Sequence, residues 1–242
     1  MKGTARIGTS GFSYDHWRGV FYPDGVAQRQ WLEHYAKHFD TVELNSTFYS
    51  MPRSTTCRTW RARTPKGFCF AVKLNRWITH RKRLVDCGEP LGAYLEAVGE
   101  LKGKLGPVLI QLPPGLAADT RRLDEFLDIC PKRRRWAVEF RNAAWLCPDV
   151  YAVLRRHNAA LCIHDLLQDH PMETTADWVY LRYHGAGTRY GGCYSRQRLS
   201  AEAERIRHWL QRGYDVFAYF NNDAHGYAVQ NAAELKRLCR AS

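Results

Sequence analysis

Three charged residues stand inside short apolar runs of the chain: Glu43 in TVELNSTF, Lys73 in FAVKLN and Glu139 in WAVEFR. An ionised group in an apolar setting is costly unless it is paired, so each needs a partner or a task. Two carboxylates whose surroundings separate their pKa values can divide into general acid and general base, and Glu43 and Glu139 are the candidates. Lys73 could serve as counter-ion, proton donor or Schiff-base amine. With two glutamates nearby its pKa is expected to be held up, which favours counter-ion or electrophile over amine nucleophile. Arg141, Arg182 and His184 add a cationic arc whose guanidinium groups suit phosphate or carboxylate. The competing reading is a divalent metal held by Glu43, Glu139, His184 and either His164 or Asp165. No HExxH, HxxEH or DxD spacing supports it, and three nearby cations would oppose the ion, so no cofactor is expected.

These residues must be positioned by regular elements. Eight apolar runs read as strands: Arg6 to Phe12, Thr41 to Phe48, Phe68 to Asn75, Val108 to Pro113, Trp136 to Arg141, Ala160 to Asp165, Trp178 to Gly185 and Val216 to Asn222. Helical patterns intervene at about Ala27 to Phe39, Ser54 to Thr64, Leu91 to Leu105, Thr120 to Cys130, Asp149 to Asn158, Ser200 to Arg212 and Gly226 to Cys239. Only Leu166 to Asp177 is too short and irregular to hold a helix. Alternation of strand and helix implies parallel strands, and eight units imply an α/β fold closed into a single-domain (β/α)8 TIM-like barrel. A doubly wound open sheet is the runner-up, but IGTSGF lacks the third glycine of a dinucleotide-binding turn.

Alternate residues of a barrel strand face the interior, and the last of them face the C-terminal mouth. Parity then gives an inward set: Ser10; Glu43 and Asn45; Lys73 and Asn75; Gln111 and Pro113; Glu139 and Arg141; Arg182 and His184; and Asn221. Strand six leaves His164 or Asp165 inward. The polar strand ends converge on one point, which suggests a ligand or catalytic site, the alternative being a structural ion-pair network. The expected catalytic residues are Glu43, Glu139, Lys73 and His184. Asn45, Asn75, Gln111, Arg141, Arg182 and Asn221, with Tyr14 and His80 from mouth loops, form the expected substrate-binding set.

The loop Gly185 to Gly192 is glycine-rich and carries Arg189, so its backbone N–H groups could approach an anion beside Arg182. Net charge is +12 and pI near 9.5, which favours a small anionic substrate or nucleic acid. Position decides between basic runs. Lys132 to Arg135 precedes strand five, on the barrel's bottom face. Arg76 to Arg83 (RWITHRKR) follows strand three and rises from the mouth with Trp77 among its charges, as nucleic-acid recognition would need. Phosphodiester hydrolysis or nucleic-acid binding, resembling barrel endonucleases, is therefore the alternative to isomerase or lyase chemistry on a small molecule.

The chain is 242 residues long and 45% hydrophobic, too apolar for disorder and enough for one core. It has no coiled-coil register, no short repeat, no signal-peptide run and no eighteen-residue apolar stretch, so a cytoplasmic protein without a membrane partner is expected. The eight cysteines lack CxxC spacing and read as free, structural thiols. The segments VELNSTFY, FAVKLN with Thr79-His80, LIQLPP, WAVEFRN, YLRYHG and FAYFNND with Asn231-Ala232 resemble, in order and over the whole chain, the YecE-like family, known as domain of unknown function seventy-two. The resemblance implies a TIM-like barrel and no particular reaction.

Overall fold

A computed structural model describes residues 2–187 and 190–240, which leaves Thr188 and Arg189 outside the described residues. The eight apolar runs form eight parallel strands: β1 (Ala5–Thr9), β2 (Thr41–Leu44), β3 (Cys69–Lys73), β4 (Leu105–Gln111), β5 (Trp136–Glu139), β6 (Ala160–His164), β7 (Trp178–Tyr183) and β8 (Asp215–Phe220). Each pairs with its sequence neighbour from β2 round to β8, and β8 pairs with β1. Outside them lie α1 (Trp31–His38), the one-turn α2 (Ser46–Tyr49), α3 (Ser54–Ala62), α4 (Gly88–Gly99), α5 (Thr120–Asp128), α6 (Pro148–Arg156), α7 (Arg196–Gln211) and α8 (Tyr227–Arg240). Helices are missing only between β6 and β7 among the described residues, where the sequence offered no pattern for one. The result is the expected (β/α)8 barrel.

Closure depends on the seam between β1 and β2, which share little ladder. Ser10 bridges to Glu43, and the Gly11 N–H donates to the Glu43 carbonyl at 2.7 Å. Below that point the Tyr35 hydroxyl, sent in from α1, accepts from the Thr9 N–H at 2.9 Å and donates to the Thr41 carbonyl at 3.0 Å. One phenol thus satisfies two buried backbone groups that no strand partner reaches. Gly8 allows this close approach, since a Cβ there would lie 2.4 Å from the Thr41 oxygen.

Inside the barrel, the two ends are chemically opposite. The lower interior is apolar: Trp178, Tyr180, Phe217 and Tyr219 from β7 and β8 face the small residues Cys69, Ala71, Ala137, Ala160 and Cys162. Large rings on one wall against small side chains on the other fill the tapering space to interior density. The same parity, carried to the strand ends, produces the charged upper layer. It also resolves strand six, because His164 continues the inward series Ala160 and Cys162, while Asp165 turns toward β7.

Several element bounds differ from the sequence expectation, each for a local reason. The second strand stops at Leu44, and Ser46–Tyr49 is a helical turn, because the Thr47 hydroxyl bonds back to the Leu44 and Lys73 carbonyls at 2.9 and 2.7 Å. Residues 77–81 after β3 wind into a π-helical turn rather than an open loop. Leu105 opens β4 instead of closing α4, and α7 starts at Arg196, four residues before Ser200, with the Ser195 hydroxyl accepting from the Arg198 N–H at 3.2 Å.

Candidate functional site

The centre of the mouth layer is Arg182, from the end of β7, which is 1% exposed. Its guanidinium donates to Glu43 Oε1 at 2.7 Å and to Glu139 Oε2 at 2.5 Å, and to Ser10 Oγ at 3.0 Å. Glu43 also accepts from the Ser10 hydroxyl and, on Oε2, from the Tyr180 hydroxyl at 2.6 Å. Glu139 Oε1 accepts from Arg141 Nε. All four carboxylate oxygens are engaged, and neither glutamate is accessible to solvent. Burial opposes the charge on Glu139, but Arg182 and Arg141 overcome it and hold its carboxyl well below the usual carboxylate range. Two guanidinium groups and two carboxylates cancel in net charge.

His184 sits beside this cluster, 1% exposed. Its Nε2 faces Arg182 at 3.1 Å and Arg141 at 3.2 Å, and since guanidinium groups only donate, Nε2 must be the acceptor. The proton then resides on Nδ1, 3.5 Å from Asp165 Oδ1. Burial lowers the His184 pKa and Asp165 opposes it, with Arg182 and Arg141 lowering it further, so the ring is neutral. Asp165 is in turn held by the His184 backbone N–H at 2.8 Å and by the Tyr194 hydroxyl. His184 therefore orients the two arginines and has no exposed nitrogen to offer a substrate.

Lys73, at the end of β3, has a different setting. Its main-chain carbonyl is pinned by Thr47 Oγ1 at 2.7 Å and Tyr94 OH at 2.9 Å, so its strand end is fixed. Its ammonium has no hydrogen bond or ion pair among the described residues and lies 4.1 Å from the centre of the Phe48 ring. Burial, followed by the Arg182 charge, pushes its pKa down to about 7 against the opposing pull of Glu139 and Glu43. This corrects the expectation that two glutamates would hold it up: both are committed to guanidinium groups.

A cavity of about 570 Å³ opens above this layer, walled by Lys73, Arg141, Asn45, Tyr14, Asn221 and Asp223 and by Tyr49 and Tyr190. The ends of β2 and β3 and the residues that follow β1, β5 and β8 contribute to it, and the loop after β7 adds Tyr190. The expected residues divide into three groups. Lys73, Arg141, Asn45, Tyr14 and Asn221 reach the cavity. Glu43, Glu139, Arg182 and His184 are brought together under its floor, sealed from it. Gln111, Asn75 and His80 reach neither: the Gln111 amide donates to the Leu112 carbonyl at 3.1 Å, and Asn75 ties the Thr47 carbonyl (3.1 Å) to the Trp77 N–H (2.9 Å). His80 packs edge-on to Phe48, bonded to Thr79 at 2.8 Å, its pKa lowered to about 4 by burial and by the Lys73, Arg141 and Arg76 charges. Arg189 lies outside the described residues.

Sequence reading missed Tyr180, although it stands two residues before Arg182 on the same inward face. It placed Tyr190 among the mouth-loop aromatics but missed its contact with Arg141, from which its hydroxyl accepts at 3.2 Å, and it missed the Thr47 and Tyr94 pins. The metal set imagined from Glu43, Glu139 and His184 is not available, because the Arg182 guanidinium lies between the two carboxylates. Among the described residues, the groups near enough to share an ion are Asp124, Asp128 and His157, on the outer helix layer. Asp124 there meets Arg156 at 2.7 Å and Asp128 meets Lys132 at 3.5 Å. All eight cysteines are free. Among the described residues, no helix is long and apolar enough to cross a membrane.

Fold and site together define a single-domain TIM-like barrel with a buried glutamate–arginine cluster beneath a polar mouth. The model of the family described as "Protein of unknown function DUF72" matches residues 6–242, and the chain belongs to that family. It is 27% identical to UPF0759 protein YunF of Bacillus subtilis (strain 168), over 96% of this chain and 93% of that one. It is 32% identical to UPF0759 protein YecE of Escherichia coli (strain K12), over 46% of this chain and 41% of that one. The crystal structure of a DUF72 family protein from Thermotoga maritima MSB8 superposes with a TM-score of 0.85 at 29% identity, covering 98% of this chain and 99% of that one.

Proposed function

We propose that the protein is an enzyme whose mouth cavity takes a small anionic substrate bearing a phosphate or carboxylate group. The observation that supports this is the division of charge: Lys73 and Arg141 line the cavity, while Glu43 and Glu139 are sealed beneath it. Arg141 uses three of its five N–H groups on Glu139, His184 and Tyr190, which leaves two for an acid group. In this reading the glutamates contribute by fixing the guanidinium groups rather than by exchanging protons: the oxygens of both are taken by donors, and the Glu139 carboxyl, held well below the usual range, is a weak base. Calorimetric titration with inorganic phosphate and pyrophosphate tests it. Arg141→Gln is expected to weaken binding by about 10- to 100-fold, the worth of one or two hydrogen bonds from a charged donor; unchanged affinity would contradict the reading.

A second reading has its own observation. Beside the mouth a further cavity of about 550 Å³ is lined by Asn75, Arg76, Trp77, Arg81 and Lys82 and shares Tyr49 with the first. Tyr49 is 63% and Trp77 54% exposed, so neither ring is used to pack its loop down. Cations beside exposed aromatic faces suit the backbone and bases of single-stranded nucleic acid. Binding of a single-stranded oligonucleotide should weaken steeply with salt, and replacing Arg76, Arg81 and Lys82 by Gln should flatten that slope by about 2. A slope that does not change would remove this surface from consideration.

A further inference from the structure

We propose that Lys73 is an amine nucleophile that forms an imine with an aldehyde or ketone carrying an acid group. This deepens the anionic-substrate reading by naming the reacting carbon, and it rests on that reading only for the acid group. The geometry has four parts. The Lys73 ammonium lines the cavity at the end of a barrel strand, where a bound molecule would meet it. No carboxylate within the described residues pairs with it; the glutamates that could are locked by Arg182, Arg141, Ser10 and Tyr180. Its aromatic neighbour, Phe48, offers the ammonium a ring face but no carboxylate or hydroxyl, so the nitrogen has no hydrogen bond to break before it reacts. Finally, Thr47 and Tyr94 hold its main chain in place, so the amine is presented from a rigid strand end.

The step balances without a metal or redox partner. The neutral amine attacks the carbonyl carbon, forming a C–N bond, and the nitrogen proton passes through solvent to the carbonyl oxygen. A second proton from solvent converts the carbinolamine hydroxyl into a leaving water, and the nitrogen lone pair expels it, giving the C=N bond directly as the iminium ion. Arg141, which lines the same cavity after β5, would hold the acid group while the carbonyl carbon faces Lys73. Burial and then the Arg182 charge disfavour the ammonium ion before reaction, against the opposing pull of Glu139 and Glu43.

The test treats the full chain with pyridoxal 5′-phosphate, which joins an aldehyde to a phosphate, then with sodium borohydride, which reduces the iminium carbon to a stable secondary amine. Peptide mapping locates the label. An amine titrating near 7 is about half neutral at pH 7, against a few parts in about 10⁴ for an ordinary lysine. Lys73 is therefore expected to be labelled at least about 10-fold faster than the surface residues Lys37 and Lys66, with a rate that levels off above pH 8, and Lys73→Arg should lose that fast phase. Label spread evenly over surface lysines, or a rate still climbing above pH 9, would overturn the proposal. Repeating the reaction with propanal, which has no acid group, separates the two readings. Lys73 labelled equally fast by both aldehydes upholds the nucleophile and counts against the anion site. Lys73 labelled by neither overturns the nucleophile and leaves phosphate binding, measured by calorimetry, to stand alone.

Discussion

The two sides of the mouth handle buried charge in opposite ways. Around Arg182 at the end of β7, Arg141, Glu139 and, reaching in from β2, Glu43 meet in a closed network in which the carboxylates are fully bonded and the sum of charges is zero. On the β2–β3 side, Lys73 is almost as deeply placed yet has only the Phe48 ring for company. Burial alone does not separate them. The difference is geometric: Arg182 reaches both glutamates with two nitrogens of one planar group, and once they are bound to it nothing remains for the lysine. A balanced buried network is a structural part, whereas an unbalanced buried cation is a standing cost that a fold retains for its chemistry.

The comparison can be broken at four points, from the largest expected effect to the smallest. Arg182→Met leaves Glu43 buried without a counter-charge and Glu139 with Arg141 alone, and should lower unfolding free energy by about 3–5 kcal/mol in urea denaturation, or prevent folding. Tyr180→Phe takes one donor from Glu43 Oε2 in a site with no water access, and should cost about 1–3 kcal/mol. Lys73→Met should do the reverse and stabilise the protein at pH 6 by at least about 1 kcal/mol, as relief of a buried unpaired charge. Its pH dependence follows from the same shift. The folded-state pKa of Lys73, about 7, lies below the ordinary lysine value, so between the two the unfolded chain binds more protons. The penalty is complete below pH 7 and fades as pH rises toward the unfolded value. Stability measured at pH 7 and pH 9.5 should therefore gain more in the wild type than in Lys73→Met; equal gains would contradict an unpaired lysine. Trp77→Ala, on the exposed ledge, should change stability by less than about 0.5 kcal/mol while weakening any single-stranded nucleic acid bound there.

Much of this was legible in the residues. Period-two alternation placed all eight strands and identified Glu43, Lys73, Glu139, Arg182 and His184 as sharing one interior, because side-chain parity along a strand is independent of the rest of the fold. Pairing is not. Whether Glu43 faces Lys73, one strand away, or Arg182, from β7, depends on side-chain reach across the barrel, and Arg182 is long enough to take both glutamates. The local error at Asn45–Tyr49 has a similar origin: VELNSTFY reads as one apolar run, but Asn45 adopts helical backbone angles and the Thr47 hydroxyl bonds backward, so Phe48 swings beneath Lys73 instead of continuing the strand. Gln111 and His80 look like ligand-binding residues by type, and their hydrogen bonds to Leu112 and Thr79 show each meeting a local need instead.

The central claim is that Lys73 is a buried amine without a counter-ion, poised to be neutral near physiological pH. Its direct test is an NMR titration of the protein labelled with ¹³C at lysine Cε, with the Lys73 signal assigned from its loss in Lys73→Arg. The expected result is a midpoint near 7, far from the bulk of the lysines. A midpoint above about 10, the ordinary range, would show that Lys73 has a counter-charge after all and would contradict the account.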